Sequence, residues 1–133
     1  MLLVAAVALA GCSNAELKTI EEVAYSYSHA MANYDVDGAE PYATDETKST
    51  TLIKARQLMQ LVGDEYIASD TPAEIKIVDA QMTSDTTAYA VYHKTSPIKD
   101  FTDTLRLRKR NDVWQAHAPI PKIKPTSPSD SQS

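Results

Sequence analysis

The 133-residue chain has one cysteine, three glycines, one tryptophan and one phenylalanine. A lone cysteine excludes a disulfide framework and any thiolate cluster for zinc. The three histidines, His29, His93 and His117, have no ligand spacing, so no metal is expected. With so little glycine there is no phosphate loop, and no serine sits in a nucleophile elbow, so no cofactor is expected either. Basic residues are also scarce: 13 Lys and Arg against 18 Asp and Glu give a formal net charge of −5. That balance argues against a nucleic-acid partner, which needs a clustered basic surface. The one dense basic stretch, Arg106, Arg108, Lys109 and Arg110, reads as the wet face of an edge-facing strand rather than as a phosphate-binding surface. A mild negative charge also disfavours anionic headgroups, so any membrane attachment must be covalent.

Long hydrophobic runs are equally few. Residues 1–10 form an uncharged apolar segment, far short of the roughly 20 residues that span a bilayer but suited to the centre of a signal peptide. Leu9-Ala10-Gly11-Cys12 follows at once, and it resembles the lipobox of bacterial lipoproteins. The resemblance implies a signal peptide over 1–11, cleavage before Cys12, lipid on Cys12 and a short linker over 12–17. Several acyl chains on one residue anchor stably where one chain is marginal. No Lys or Arg precedes the apolar run, which points to a start upstream of Met1. Ser13, which is not Asp, favours the outer membrane in the bacterial pattern. The competing reading is a buried N-terminal helix with an incidental cysteine.

Beyond the linker the pattern is regular. Leu17, Ile20, Ala24, Tyr27, Met31 and Tyr34 recur at spacings of three and four, predicting a first helix over 16–34. Asp37 is positioned to cap a second, short helix with Glu40 as its capping-box partner, and Tyr42 and Ala43 would point inward. A third helix is expected over 49–62, apolar enough to pack on more than one side and stopped by Gly63. Four strand patterns follow, over 73–82, 86–95, 101–110 and 113–118. The alternation slips at Ile77-Val78, which suggests a bulge, and Asn111-Asp112 marks a hairpin. Phe101, Leu105 and Leu107 are expected to face inward. Helices followed by strands imply an α+β domain over 18–118, with helices on one face of an antiparallel sheet. The Pro- and Ser-rich segment 119–133 is expected to be a disordered tail.

Three stretches carry a resemblance: Val23-Ala24-Tyr25 to Ala30, Tyr34-Asp35 to Tyr42-Ala43, and Leu105-Arg106-Leu107 to Asn111-Asp112-Val113-Trp114. In this order they are similar to the nuclear-transport-factor-two-like (cystatin-like) cone fold, and more narrowly to small bacterial lipoproteins of that superfamily with no assigned function. The resemblance covers roughly residues 18–118. It implies three helices on a curved sheet of about four strands and a pocket in the mouth of the cone, lined by Tyr27, Met31, Tyr42, Met59, Tyr89, Phe101 and Trp114. Enzymes of the superfamily place an Asp or His base with a Tyr or Asp donor there, and by position only Tyr42 with Asp45, or Tyr27 with His93, form such pairs. A core tyrosine with its hydroxyl at the rim and a half-exposed strand histidine are the plainer readings of those residues.

The sequence therefore favours a non-enzymatic envelope lipoprotein that binds a small apolar ligand or another envelope protein. The rival is a periplasm-facing isomerase or hydratase, and a third reading is an inhibitor that blocks a partner. A homodimer through the sheet is compatible with the fold, although no residue argues for it.

Overall fold

The structure, a computed structural model, describes residues 2–121, with side chains over 14–121. The side chain of Cys12 and the segment 122–133, expected to be lipidated and disordered respectively, lie outside the described residues. Helix α1 (Leu2–Ala32) leads to α2 (Val36–Ala39), a 3-10 turn (Glu40–Tyr42), α3 (Asp45–Thr47), a π-helical turn (Lys48–Leu52) and α4 (Ile53–Ser69). Strands β1 (Glu74–Met82), β2 (Thr87–Thr95), β3 (Asp100–Arg110) and β4 (Val113–Ala116) then form one antiparallel sheet in the order β1-β2-β3-β4. This is the α+β arrangement that the sequence predicts.

The core forms where the apolar stripe of α1 meets one face of the sheet. Ile20, Ala24, Tyr27 and Ala30 are buried against Ala88, Ala90, Leu105, Leu107, Trp114 and Ala116. Small side chains on both layers let the helix approach closely, while Leu52 and Leu107, both fully buried, fill the space that remains. The face of the sheet toward α1 is called inner here. The register shift between Ile77 and Asp79 marks the bulge at Val78. Asn111 and Asp112 both take positive φ, 52° and 62°, the turn geometry that matches strand twist in a two-residue hairpin.

Several expectations require correction. The chain reverses directly after α1 because Tyr34 adopts a left-handed conformation, φ 62°. The second helix therefore starts earlier, and its cap is Asp35, whose Oδ1 accepts from the Gly38 N–H at 3.0 Å. A Cβ at Gly38 would collide with that carboxylate. Asp37 and Glu40 do not form a capping box; both bind the Arg56 guanidinium, at 2.8 and 2.9 Å. Gly63 does interrupt the third helix, with φ 81° and ψ 169°, but a further helical stretch continues to Ser69. That helix packs on one side only: Ala55 and Met59 touch the core, whereas Ile53, Leu58, Leu61 and Val62 are exposed.

The basic strand β3 is not at an edge; β2 and β4 flank it. Of its charges, Arg110 forms a two-pronged pair with Glu46 at 2.6 and 2.7 Å. Lys109 binds Glu16 at 3.2 Å and lies over Trp114. Just past 118, the Ile120 N–H donates to Thr50 Oγ1 at 3.0 Å. Burial predicts that Leu107→Ala lowers unfolding free energy by about 3 kcal/mol. Leu61→Ala, at an 80% exposed position, should stay within about 0.5 kcal/mol of the parent chain in the same urea titration.

Candidate functional site

The strongest polar cluster among the described residues is centred on Asp70, which is fully buried. It is the C-cap of α4, its N–H donating to the carbonyls of Tyr66 and Ile67. The Tyr34 hydroxyl donates to Oδ2 at 2.6 Å, and the Ser96 hydroxyl donates to Oδ1 at 2.5 Å. Ser96 can point its proton at the carboxylate because its oxygen already accepts from the N–H groups of Ile98 and Lys99. The Lys99 ammonium is 3.1 Å from Oδ2, and that of Lys94 is 4.0 Å away. One carboxylate thus joins the end of α1, the end of α4 and the β2–β3 loop.

Burial pushes the Asp70 carboxyl up, but the hydrogen bonds from Ser96, Tyr34 and Lys99, with the charge of Lys94, outweigh it and hold it at about 2. Burial and the bond to Asp70 push Tyr34 up to about 12. Lys99 is raised by its Tyr66 and Asp70 neighbours, whereas burial lowers Lys94. A carboxylate held this far down is a fixed anion and a poor proton acceptor near neutrality.

Two cavities adjoin the cluster. The larger, about 250 Å³, lies between α4 and the turn after α1. Its walls are Met31, Val36, Ala55, Leu58, Met59 and Val62, and Tyr34, Tyr66 and Lys99 form its polar end. The smaller, about 150 Å³, lies between α1 and the inner face of the sheet. Tyr27, Met31, Tyr92, Lys94 and Phe101 line it, and burial with the nearby Tyr92 pushes the Tyr27 hydroxyl up to about 12. Met31 borders both cavities, and two ammonium groups share a single carboxylate beside them.

The structure brings together only part of the expected pocket. Met31 and Met59 line the larger cavity, and Tyr27, Met31 and Phe101 the smaller. Phe101 faces the inner side but stays 39% exposed at the rim. Tyr89 sits on the opposite face of the sheet, because it pairs with Arg106 while Ala88 and Ala90 on either side of it point inward. Trp114 is buried core, its Nε1–H donating to Glu16 at 3.0 Å. Tyr42 turns outward from the 3-10 turn.

Neither proposed acid–base pair forms. Asp45 is solvent-exposed and faces Lys48 at 3.8 Å. His93 is on the outer face, with Nε2 2.7 Å from Asp100 and Nδ1 2.9 Å from Thr102 Oγ1, so the sheet separates it from Tyr27. No sequence pattern marks Asp70, Lys94 or Lys99. Asp70 follows Ser69 and precedes Thr71-Pro72, a pattern indistinguishable from an ordinary loop. Among the described residues no group of three His, Cys, Asp or Glu could hold a metal ion, and no helix is long and apolar enough to cross a membrane.

Removing the Asp70 carboxylate leaves two ammonium groups uncompensated, so Asp70→Ala should cost about 3–5 kcal/mol in chemical unfolding. Because its folded pKa lies below the model-peptide value of 3.8, its contribution is complete above that value and is lost as pH falls toward 2. Acid titrations followed by circular dichroism should show a shallower acid limb in Asp70→Asn than in the parent chain.

No protein family and no curated protein matches the sequence. Solved structures do match. A candidate NTF2-like transpeptidase of Campylobacter jejuni superposes with a TM-score of 0.56 at 14% identity, covering 74% of this chain and 96% of that one. An NTF2-like protein of unknown function from Shewanella oneidensis gives 0.53 at 17% identity, covering 75% and 95%. At such identities the likeness concerns the fold alone. The helices on a four-stranded antiparallel sheet and these superpositions together show that the chain has the NTF2-like α+β cone fold.

Proposed function

We propose that this protein is a non-enzymatic, lipid-anchored module of the bacterial envelope that binds a small apolar ligand with an acidic head. The observation that carries the ligand is the cleft between α4 and the turn after α1. Its walls are aliphatic and thioether side chains, and its end presents the Lys99 ammonium and the Tyr34 and Tyr66 rings. Leu58 and Val62 are 47% and 41% exposed there, apolar surface that a ligand would cover. Lys99 is the one charged residue among those lining the cleft, so its polar end offers an ammonium that complements a carboxylate. The anchor is supported by Leu9-Ala10-Gly11-Cys12, and Ser13, which is not Asp, favours the outer membrane. The acid–base reading has no comparable support, since the buried carboxylate is held ionised and its neighbours are donors.

Titration with dansylaminoundecanoic acid tests the cleft. Saturable fluorescence enhancement at one site per chain is expected, with affinity reduced about tenfold when Ala55→Trp fills the cleft and when the probe's carboxylate is methylated. Enhancement that Ala55→Trp leaves unchanged would remove the cleft from the account, and docking of another envelope protein would take its place. The anchor is tested separately by growth with an alkyne-labelled palmitate: the parent chain should take up label and partition with membranes, and Cys12→Ala should do neither.

A further inference from the structure

The largest cavity among those described, about 370 Å³, is on the outer face of the sheet, away from the cleft and sharing no residue with it. Its floor is the strand backbone at Ala88 and Leu107, whose side chains point into the core, and its wall is built from Arg106, Arg108, His117, Tyr89, Thr87 and Thr104. No residue lining it is acidic, although 18 of the chain's 133 residues are Asp or Glu. Such a sign bias on an acidic protein is local and specific. Arg106 and Arg108 are two apart on β3, so both guanidinium groups project from the same face. The other basic residues of that strand are engaged, Lys109 with Glu16 and Arg110 with Glu46, whereas Arg106 and Arg108 have no ion pair among the described residues.

The surrounding groups add hydroxyls to the two guanidinium groups. Cross-strand register puts Thr87 opposite Arg108, Tyr89 opposite Arg106, and Thr104 opposite Val91 on the same face. His117 is held at the cavity by its N–H bond to the Arg106 carbonyl at 2.8 Å and by Nδ1 at 2.9 Å from the buried Thr44 Oγ1. Two guanidinium forks and several hydroxyls around a concave floor suit an oxyanion with three acceptor oxygens. Face-to-face pairing of two copies across this surface would instead bring like charges together.

We infer that this outer-face cavity is an anion site for a phosphoryl group, held by Arg106 and Arg108 with Thr87, Tyr89 and Thr104 as hydroxyl partners. The group can come from a soluble phosphate monoester or from the monoester head of phosphatidic acid, each of which presents three terminal oxygens. Backbone amide spectra of the full chain, recorded with increasing glycerol 3-phosphate at about 0.15 M salt, where exposed charges are screened, test the site. Saturating shifts confined to 87–89, 104–108 and 117 are expected. The Arg106→Gln/Arg108→Gln variant should keep its fold, Arg106 being exposed and Arg108 half-buried, and bind about tenfold or more weakly.

The absence of saturable shifts, or equal affinity in the double variant, would overturn the assignment. So would shifts of the same residues with protein concentration alone, which would make the face a contact between copies. Sedimentation with vesicles containing phosphatidic acid, run with Cys12→Ala to remove any acyl anchor, separates the two sources. Pelleting that glycerol 3-phosphate competes away assigns the lipid head, and no pelleting beside intact glycerol 3-phosphate binding assigns the soluble ester. Because Ala55→Trp blocks the other cleft without touching this face, failure of one site is distinguishable from failure of the other.

Discussion

A buried carboxylate organises one end of this molecule. Asp70 closes α4, receives hydrogen bonds from the turn after α1 and from the β2–β3 loop, and balances two lysines. Three segments distant in sequence must therefore settle together: Tyr34 is 36 residues from Asp70, and Ser96 is 26. The desolvation penalty of such an ion is several kcal/mol and is offset only when its lone pairs are used, as they are here. Its effect on function is indirect. By fixing Tyr34 and Lys99 it sets the polar end of the cleft whose apolar walls come from α1, α2 and α4.

The two ends of the domain are built differently. Around α1, Ile20 and Ala24 meet the inner sheet face in a close-packed apolar layer, and Glu16 ties the helix to Trp114 and Lys109 of the β3–β4 hairpin. At the Asp70 end, packing is looser and polar contacts dominate. Helix α4 has no fully buried residue over Ile53–Ser69, and Gly63 breaks its backbone. Local stability should follow this gradient, since few buried contacts mean low-cost local opening. A ligand cleft is better placed at the looser end, where walls can adjust without disturbing the core.

What the sequence made legible was local. The stripe from Ile20 to Ala30, the slip at Ile77-Val78 and the Asn111-Asp112 turn are each set by neighbours a few residues apart, and all three are found in the structure. The cap of the second helix was misplaced by two residues because Tyr34, a residue seldom found at positive φ, makes the reversal, and Asp35 then precedes the first turn. Tyr89 and His93 were grouped with inner residues although strand alternation puts both outside. Asp70 and Lys99 were invisible for a deeper reason: their meaning lies in partners that only the tertiary fold supplies. The outer-face arginines were read as belonging to an edge; with β4 paired alongside, they form the wall of a cavity instead.

The bulge in β1 has a consequence for crowding. Among the described residues β1 is a free edge of the sheet, with one row of backbone donors and acceptors unmatched by a neighbouring strand. At Val78 that row loses its regular spacing, and Glu74, Lys76 and Asp79 add exposed charge along the same strand. An incoming extended chain would have to copy the irregularity and tolerate the charges before it could bond along the edge. The bulge therefore also works as a guard against polymerisation, keeping neighbouring copies from adding strand to strand wherever they are concentrated.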